Sequence, residues 1–493
     1  MISTVRWIFL SLRHLSGGRC KNMDRNILCS KTATIREALE KINLNVKGTV
    51  FIVDENDKLC GIATDGDIRR GLLSGLTLDS GITGVSRKEF VYAHQGESIK
   101  EIFEKFNEDI RILPIVDQDC RVVDFSEYKS NMRLPIAQPQ LNGKEMEYLL
   151  DAFLSTWISS TGRYVTEFES SFARWCGMPC GVAVSNGTTA LHLALTALGV
   201  GEGDEVIVPD ITFAATINAV LYTGATPVIV DVEEDGWCIS PDEIEKAVTE
   251  RTKAVIPVHI YGQPCDMERI MEIAGKYGLY VVEDCAEAHG ARYDGRKVGS
   301  FGDISCFSFF GNKIITTGEG GMCLTRNKEL EEKLRLYRDH GMSKTRKYYH
   351  EVIGYNYRMT NLQAAIGVAQ LENIDQTLAW RSNLEESYRK KIAGIDGIEM
   401  QRNDLRKREK VTWLVTVCVE KEKRDACMNA MTEMNIDARP FFIPLSEMEI
   451  YRKYTFSNRV STELAERGFN LPTSYMINEE EVDRVVRALR QVV

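Results

Sequence analysis

Phe307-Ser308-Phe309-Phe310-Gly311-Asn312-Lys313, followed by Ile-Ile-Thr-Thr-Gly-Glu-Gly-Gly321, decides how the rest of the chain is read. An apolar strand runs into a single lysine, and a glycine-rich turn follows at once. Partial desolvation between an aromatic strand and a tight turn favours the neutral amine, which can form a Schiff base with an aldehyde. A second stretch, Leu279-Tyr280-Val281-Val282-Glu283-Asp284, reads as a buried strand with an aspartate at its carboxyl end. Open α/β sheets place their chemistry at that end. An aspartate for a pyridinium nitrogen and a lysine for an aldehyde are together what pyridoxal phosphate (PLP) requires.

A third stretch adds a phosphate site. Val182-Ala-Val-Ser185-Asn186-Gly187-Thr188-Thr189 is a strand that enters a helix through small polar residues. Gly187 lets the backbone approach an anion, the helix N-terminus supplies N–H groups, and Thr188 adds a hydroxyl. An ordinary N-cap is the simpler account of this segment alone. Ser308 alternates with Phe307 and Phe309, so it faces away from them and is a second candidate phosphate donor. Gly199-Val-Gly201-Glu-Gly203 follows a helix and reads as a C-cap loop, and 317–321 follows its lysine, the reverse of a P-loop.

The surroundings are those of an ordinary globular chain. Its 493 residues call for two or three domains, and 44% hydrophobic and 27% charged residues fit a soluble protein. A net charge of −10 with no long basic run argues against nucleic acid as a partner. Nothing approaches a membrane span, and the thirteen cysteines are scattered without Cys-x-x-Cys pairs, so reduced thiols, a cytoplasmic setting and no metal site are expected. Residues 1–23, basic and without an acid, read as a disordered extension or as preceding a start at Met23.

A weak repeat marks the amino-terminal part. Val50-Phe51-Ile52-Val53-Asp54 and the strand after it return 63 residues later around Leu113-Pro114-Ile115-Val116-Asp117. Helical patterns at 34–42 and 98–106 precede the two copies, and two such units stack their sheets to share a core. Residues 24–128 resemble a tandem CBS (cystathionine-β-synthase-like) pair, most clearly at Gly61-Ile-Ala-Thr-Asp-Gly-Asp-Ile-Arg-Arg70. The resemblance implies that Thr64 and Asp67 hold a nucleotide ribose, giving a regulatory nucleotide site. The alternative is that Thr64 is a helix N-cap and the pair a dimerising module. The second copy has Asp124-Phe125-Ser126-Glu127 in place of Thr-x-x-Asp, so one intact site at most is implied.

A polar join at 129–140 leads into alternating strands (181–184, 205–208, 226–230, 254–258, 279–282, 304–309) and helices, the rhythm of a mainly parallel sheet covered on both faces. Helical patterns at 361–371 and on to about 391, the strand 412–419 and terminal helices complete a smaller subdomain. The expected divisions are a large domain at 141–375 and a small one at 376–493.

This remainder, 133–493, resembles the DegT/DnrJ/EryC1/StrS family of PLP-dependent sugar-nucleotide aminotransferases. The motifs fall in family order: Thr161-Gly-Arg-Tyr-Val-Thr-Glu-Phe-Glu169, the Ser185 segment, Pro257-Val-His-Ile-Tyr-Gly262, Val282-Glu-Asp-Cys-Ala-Glu-Ala-His-Gly290, the lysine turn, and Gly354-Tyr-Asn-Tyr-Arg-Met-Thr-Asn-Leu-Gln363. The resemblance implies the type I PLP-aminotransferase fold, with an NDP-4-keto-6-deoxy sugar and L-glutamate as substrates. It makes Lys313 the Schiff-base lysine and proton shuttle, and pairs Asp284 with the pyridinium nitrogen. Phe213 matches the aromatic on the ring face, though an ordinary core phenylalanine would look the same. Glu287 falls near the 3-hydroxyl, while Gly187, Thr188 and Ser308 match the phosphate ligands. Asn356 matches a phosphate ligand given by a neighbouring subunit, hence a homodimer. His289 and His340 read as packing or loop-ordering residues. Three rivals stand beside this reading: a PLP sugar dehydratase, which in this family carries histidine in place of Lys313, amination at C3, and an idle nucleotide sensor.

Overall fold

The computed structural model describes residues 25–45, 47–97, 101–102, 105–106, 110–127, 133–475 and 477–493. The expected amino-terminal extension, most of the helical pattern at 98–106 and the start of the join at 129–140 lie outside them. The chain divides into two compact units, Met1–Met132 and Arg133–Val493.

In the first unit, β1 (Leu28–Ser30) runs parallel to β2 (Thr49–Val53), which pairs antiparallel with β3 (Leu59–Thr64). Strands β4 (Ala93–His94), β5 (Ile112–Val116) and β6 (Val122–Glu127) repeat that order and those directions. The repeat extends to the irregularities. A register shift lies between Ile52 and Val53, and its counterpart lies between Ile115 and Val116, 63 residues on. Asp54 accepts the N–H groups of Asn56 and Lys58 in one hairpin turn, as Asp117 accepts those of Asp119 and Arg121 in the other. The two turns also bond to each other, Leu59 N–H to Cys120 O and Val122 N–H to Asp57 O. Phe51, Val53, Ile62, Val116 and Val122 form one core across both copies, as the alternation of apolar residues requires when neither sheet can cover its face alone.

The second unit is built on a seven-stranded sheet. Its strands are β7 (Cys180–Val184), β8 (Glu205–Pro209), β9 (Thr226–Val230), β10 (Thr252–Val255), β11 (Tyr280–Asp284), β14 (Ile304–Ser308) and β15 (Gly321–Thr325), in the order β7-β15-β14-β11-β10-β8-β9. All neighbours are parallel except β15, which is antiparallel to both β14 and β7. The six strands expected from the sequence are present within a few residues. Strand β15 was not foreseen because its first residue closes the glycine-rich turn and hides its pattern. Helices such as Gly187–Ala197 and Met267–Tyr277 cover the two faces, each face with its own apolar core. This is the mixed α/β fold expected.

Helices Asn361–Glu372 and Ile374–Ile392 lead to a second, antiparallel sheet. It contains β16 (Glu399–Met400), β18 (Val415–Cys418), β19 (Arg439–Pro440) and β20 (Gly468–Leu471), with strand β17 (Arg408–Glu409) pairing instead with β12 (Arg292–Tyr293), the neighbour of β13 (Arg296–Lys297). Chain segments of the carboxyl-terminal part are fastened to the main sheet at several points. At Gly262, φ is +94° and an added Cβ would lie 2.0 Å from Val411 O, so only glycine lets the segment before β18 approach. Among the described residues no helix is long and apolar enough to cross a membrane.

Candidate active site

The lysine turn is an excursion closed at its base by one residue. Phe309 N–H donates to Gly320 O at 2.8 Å, and Phe309 O accepts from Thr317 N–H at 2.9 Å and Thr316 Oγ1 at 3.0 Å. Residues 310–319 are thereby held at the carboxyl end of β14, with Lys313 N–H bonded to Phe310 O. Phe307 and Phe309 are fully buried against Phe172. Ser308 takes the opposite face, as alternation along the strand demands.

Lys313 reaches back over the sheet end. Its Nζ lies 3.5 Å from Glu287 Oε1 and 4.0 Å from the centroid of the Trp413 ring, and the side chain is 11% exposed. Glu287 is buried, and its Oε2 accepts the Tyr261 N–H at 2.9 Å. Burial raises the Glu287 carboxyl to about 7, against the opposing pull of Lys313 and the Tyr261 N–H. A desolvated ammonium over an indole face is stabilised by roughly 2 kcal/mol.

Asp284 ends β11 and is buried. Its Oδ2 accepts from Thr216 Oγ1 at 2.9 Å and its Oδ1 from Ala286 N–H at 3.1 Å. Burial raises its carboxyl above the usual range despite these two bonds. The preceding residue offers a contrast. Glu283 accepts the N–H groups of Gly299, Phe301 and Gly302 and lies 3.3 Å from His259 Nε2. Burial opposes its charge, yet His259 and the backbone donors together hold its carboxyl below the usual range. Glu283 is a satisfied structural acid, and the cluster it forms with His259 and Cys285 is accounted for by this bonding. Among the described residues no cation is in ion-pair contact with Asp284, on which Lys313 and His259 act only through weaker, longer-range attraction.

The loop before Phe213 is anchored from the other direction. Asp210 accepts from Ser446 N–H, Ser446 Oγ and Ser461 Oγ, tying the segment to the carboxyl-terminal part of the unit. Thr212 Oγ1 and Thr216 Oγ1 are 2.9 Å apart, so the chain that carries Phe213 also carries the hydroxyl on Asp284. Phe213 is 61% exposed, with its ring 6.1 Å from that of Phe442. An ordinary core phenylalanine would be buried.

Gly187 and Ser308 meet. A Cβ on Gly187 would lie 2.8 Å from Ser308 Cβ and 3.2 Å from its Oγ. Asn186 caps the helix, its side chain accepting from Thr189 N–H, which leaves the Gly187 and Thr188 N–H groups as the open first-turn donors. The sequence stretches around 187, 213, 284, 287, 308 and 313 thus converge on one end of the sheet. Asn356 does not join them: it is exposed, and its Oδ1 accepts from Arg358 Nε. His289 is buried among Phe172, Phe307 and Phe309, and burial lowers its imidazole to about 3, consistent with packing. His340 orders its own loop, its carbonyl accepting from His350 Nδ1. Thr216, Tyr261 and Trp413 were not found from the sequence. Trp413 lies 100 residues beyond the lysine, and no local pattern links the two.

The cluster fits PLP on its own chemistry. Asp284 is a buried acid with no ion-pair partner among the described residues, which a pyridinium N–H would provide, and the Gly187–Ser308 cradle with two open N–H groups suits a phosphate. Residues 139–490 match the DegT/DnrJ/EryC1/StrS aminotransferase family. The chain belongs to this family. Residues 20–74 match the CBS domain. Over 359 residues the chain is 44% identical to the GDP-perosamine synthase of Escherichia coli O157:H7, covering 73% of this chain and 98% of that one. It is 45% identical over 364 residues to that of Caulobacter vibrioides, with the same coverage. The solved PLP form of Spr1654 from Streptococcus pneumoniae superposes with a TM-score of 0.70 at 28% identity, covering 73% of this chain and 98% of that one. The protein is therefore a sugar aminotransferase, with PLP as its cofactor and a CBS domain at its amino-terminal end.

In the CBS domain, Thr64 caps helix Asp65–Leu73 in a reciprocal capping box with Asp67. The Asp67 carboxylate also takes both Arg87 and Arg70. The capping role that the sequence left open is thus present, in the same two residues named for a ribose.

Asp284→Asn tests the electrostatic reading. The amide keeps the shape and can still accept from Thr216, but it cannot balance a ring cation. We expect PLP to remain detectable in the absorbance spectrum while turnover falls at least about a hundredfold. Near-normal turnover would reduce Asp284 to a structural cap.

Proposed function

We propose that the enzyme transfers nitrogen from L-glutamate to C4 of an NDP-4-keto-6-deoxyhexose, GDP-4-keto-6-deoxymannose, giving the 4-amino sugar nucleotide. The observation that carries this reading is the 44% and 45% identity to GDP-perosamine synthases along 98% of their length. A lysine at 313, where the family's dehydratases carry histidine, supports amination over dehydration.

Bound PLP supplies an aldehyde carbon that takes up and passes on nitrogen, and a ring that accepts electron density. The chain's residues supply the rest. Gly187 and Thr188 N–H and the Ser308 hydroxyl would hold the phosphate, Phe213 would cover a ring face, and Asp284 would place negative charge at the ring nitrogen. Glu287 would stand near the ring hydroxyl. Lys313 gives up and takes back a proton at Nζ, and its low exposure keeps water from competing.

Purified protein given GDP-4-keto-6-deoxymannose and glutamate should yield the amino sugar nucleotide and 2-oxoglutarate, with NMR placing nitrogen at C4. Lys313→Ala should yield none. Product only from a 3-keto sugar nucleotide would replace this reading with C3 amination.

Asn356 is read as completing the phosphate site of a second copy, in a homodimer. Its exposure and its lack of contact with the lysine cluster, among the described residues, support that reading. Inactive Lys313→Ala chains mixed with inactive Asn356→Asp chains should regain a fraction of wild-type activity after subunit exchange. No recovery after verified exchange would remove Asn356 from a shared site.

The amino-terminal unit is read as a regulatory nucleotide module acting through Thr64 and Asp67. Calorimetry on the full chain with adenine and guanine nucleotides should show binding that Asp67→Ala abolishes. Absence of binding would leave the unit a structural module.

A further inference from the structure

Trp413 has no part in the chemistry above, yet both its polar atom and its ring face address the lysine turn. We propose that Trp413 is a positioning residue for Lys313: the indole face seats the lysine ammonium beside Glu287, and the indole N–H fixes the turn that carries it. The proposal rests on Lys313 being the reacting amine.

The geometry is over-determined. Trp413 Nε1 donates to Asn312 O at 2.8 Å, one residue before the lysine, while Lys313 Nζ lies 4.0 Å from the ring centroid. The tryptophan is 4% exposed and is gripped from behind. Arg381, buried in helix Ile374–Ile392, donates to Trp413 O at 2.8 Å and to Thr412 O at 3.4 Å. Glu385, one turn on, accepts from Thr412 Oγ1 at 2.5 Å and from Lys410 Nζ at 2.8 and 2.9 Å. Burial opposes the Glu385 charge, but Lys410 and Arg389 outweigh it and bring the carboxyl down to about 2. The segment 410–413 therefore has little freedom to shift.

The indole also stacks on Tyr261, with centroids 6.0 Å apart and planes 13° apart. Tyr261 stacks in turn on Phe442 at 5.7 Å and 5°, and Phe442 meets the exposed ring of Phe213. Because the Tyr261 N–H holds Glu287, one aromatic stack sets the positions of the lysine, its carboxyl neighbour and the ring-face aromatic. An indole suits the lysine seat better than a second carboxylate would. It attracts the ammonium more weakly than an ion pair would and does not accept its proton, so the side chain is held in place while its proton is given up more readily than it would be between two carboxylates.

The test compares Trp413→Phe, which keeps a ring face, with Trp413→Met, which fills much of the volume without one. In cofactor-free protein, acylation of each lysine is followed by peptide mass spectrometry. Loss of the ring face should raise Lys313 labelling about fivefold relative to the other lysines in Trp413→Met, and at most about twofold in Trp413→Phe. In the holoenzyme, Trp413→Met should lower kcat about tenfold with KM for both substrates nearly unchanged, and Trp413→Phe should recover most of it. If Trp413→Met does not fold, Trp413→His, which offers a poorer cation-binding face, takes its place with the same expectation. The proposal is overturned by a folded ring-face variant with wild-type Lys313 labelling. It is equally overturned if Phe and Met lose kcat alike, in step with melting temperature, since packing alone then explains the effect. The labelling arm does not depend on turnover, so failure of the Lys313 assignment is seen separately, as activity retained by Lys313→Ala.

Discussion

Two consecutive acids at the end of β11 face opposite sides of the sheet and are treated differently, and the catalytic unit is arranged around that difference. Glu283 is saturated by three backbone N–H groups and His259 and is held charged. Asp284 receives two donors and is pushed towards its neutral form by burial. A buried carboxylate left short of positive charge costs several kcal/mol, so the fold carries that cost where a cationic ring nitrogen can remove it. The alternation of strand side chains makes one neighbour a structural pin and leaves the other as the acid we assign to the ring nitrogen of the cofactor.

Rigidity around this acid comes from distant parts of the chain. Phe309 closes the lysine turn, Asp210 ties the Phe213 loop to Ser446 and Ser461, and Gly262 lets Val411 approach so that Trp413 reaches Lys313. Each anchor uses backbone groups or buried side chains, which have few alternative arrangements. A site that must hold a reacting amine within a fraction of an ångström benefits from anchors of that kind.

The amino-terminal unit follows a simpler logic. Each copy covers one apolar sheet face within itself, and the paired turns at 54–58 and 117–121 bring the two remaining faces into a common core. Thr64 and Asp67 there serve the helix start, and Arg87 and Arg70 neutralise the aspartate. A ligand hydroxyl arriving at Asp67 would share a carboxylate that already has partners.

The sequence by itself determined the strand–helix alternation, the lysine at the end of an aromatic strand, the aspartate at the end of another, and the 63-residue repeat. These are local signals, since strand periodicity, turn chemistry and a glycine at a helix start depend on near neighbours. It did not reveal β15, whose direction is set by its partners and whose first residue belongs to the lysine turn. Nor could it distinguish Glu283 from Asp284 by charge state, because that depends on donors from 299–302 and on Thr216. The tertiary structure alone brought Trp413 over Lys313 and Tyr261 to Glu287. Those contacts join segments far apart in sequence, and only packing of the whole unit fixes which of many aromatic residues meets the amine.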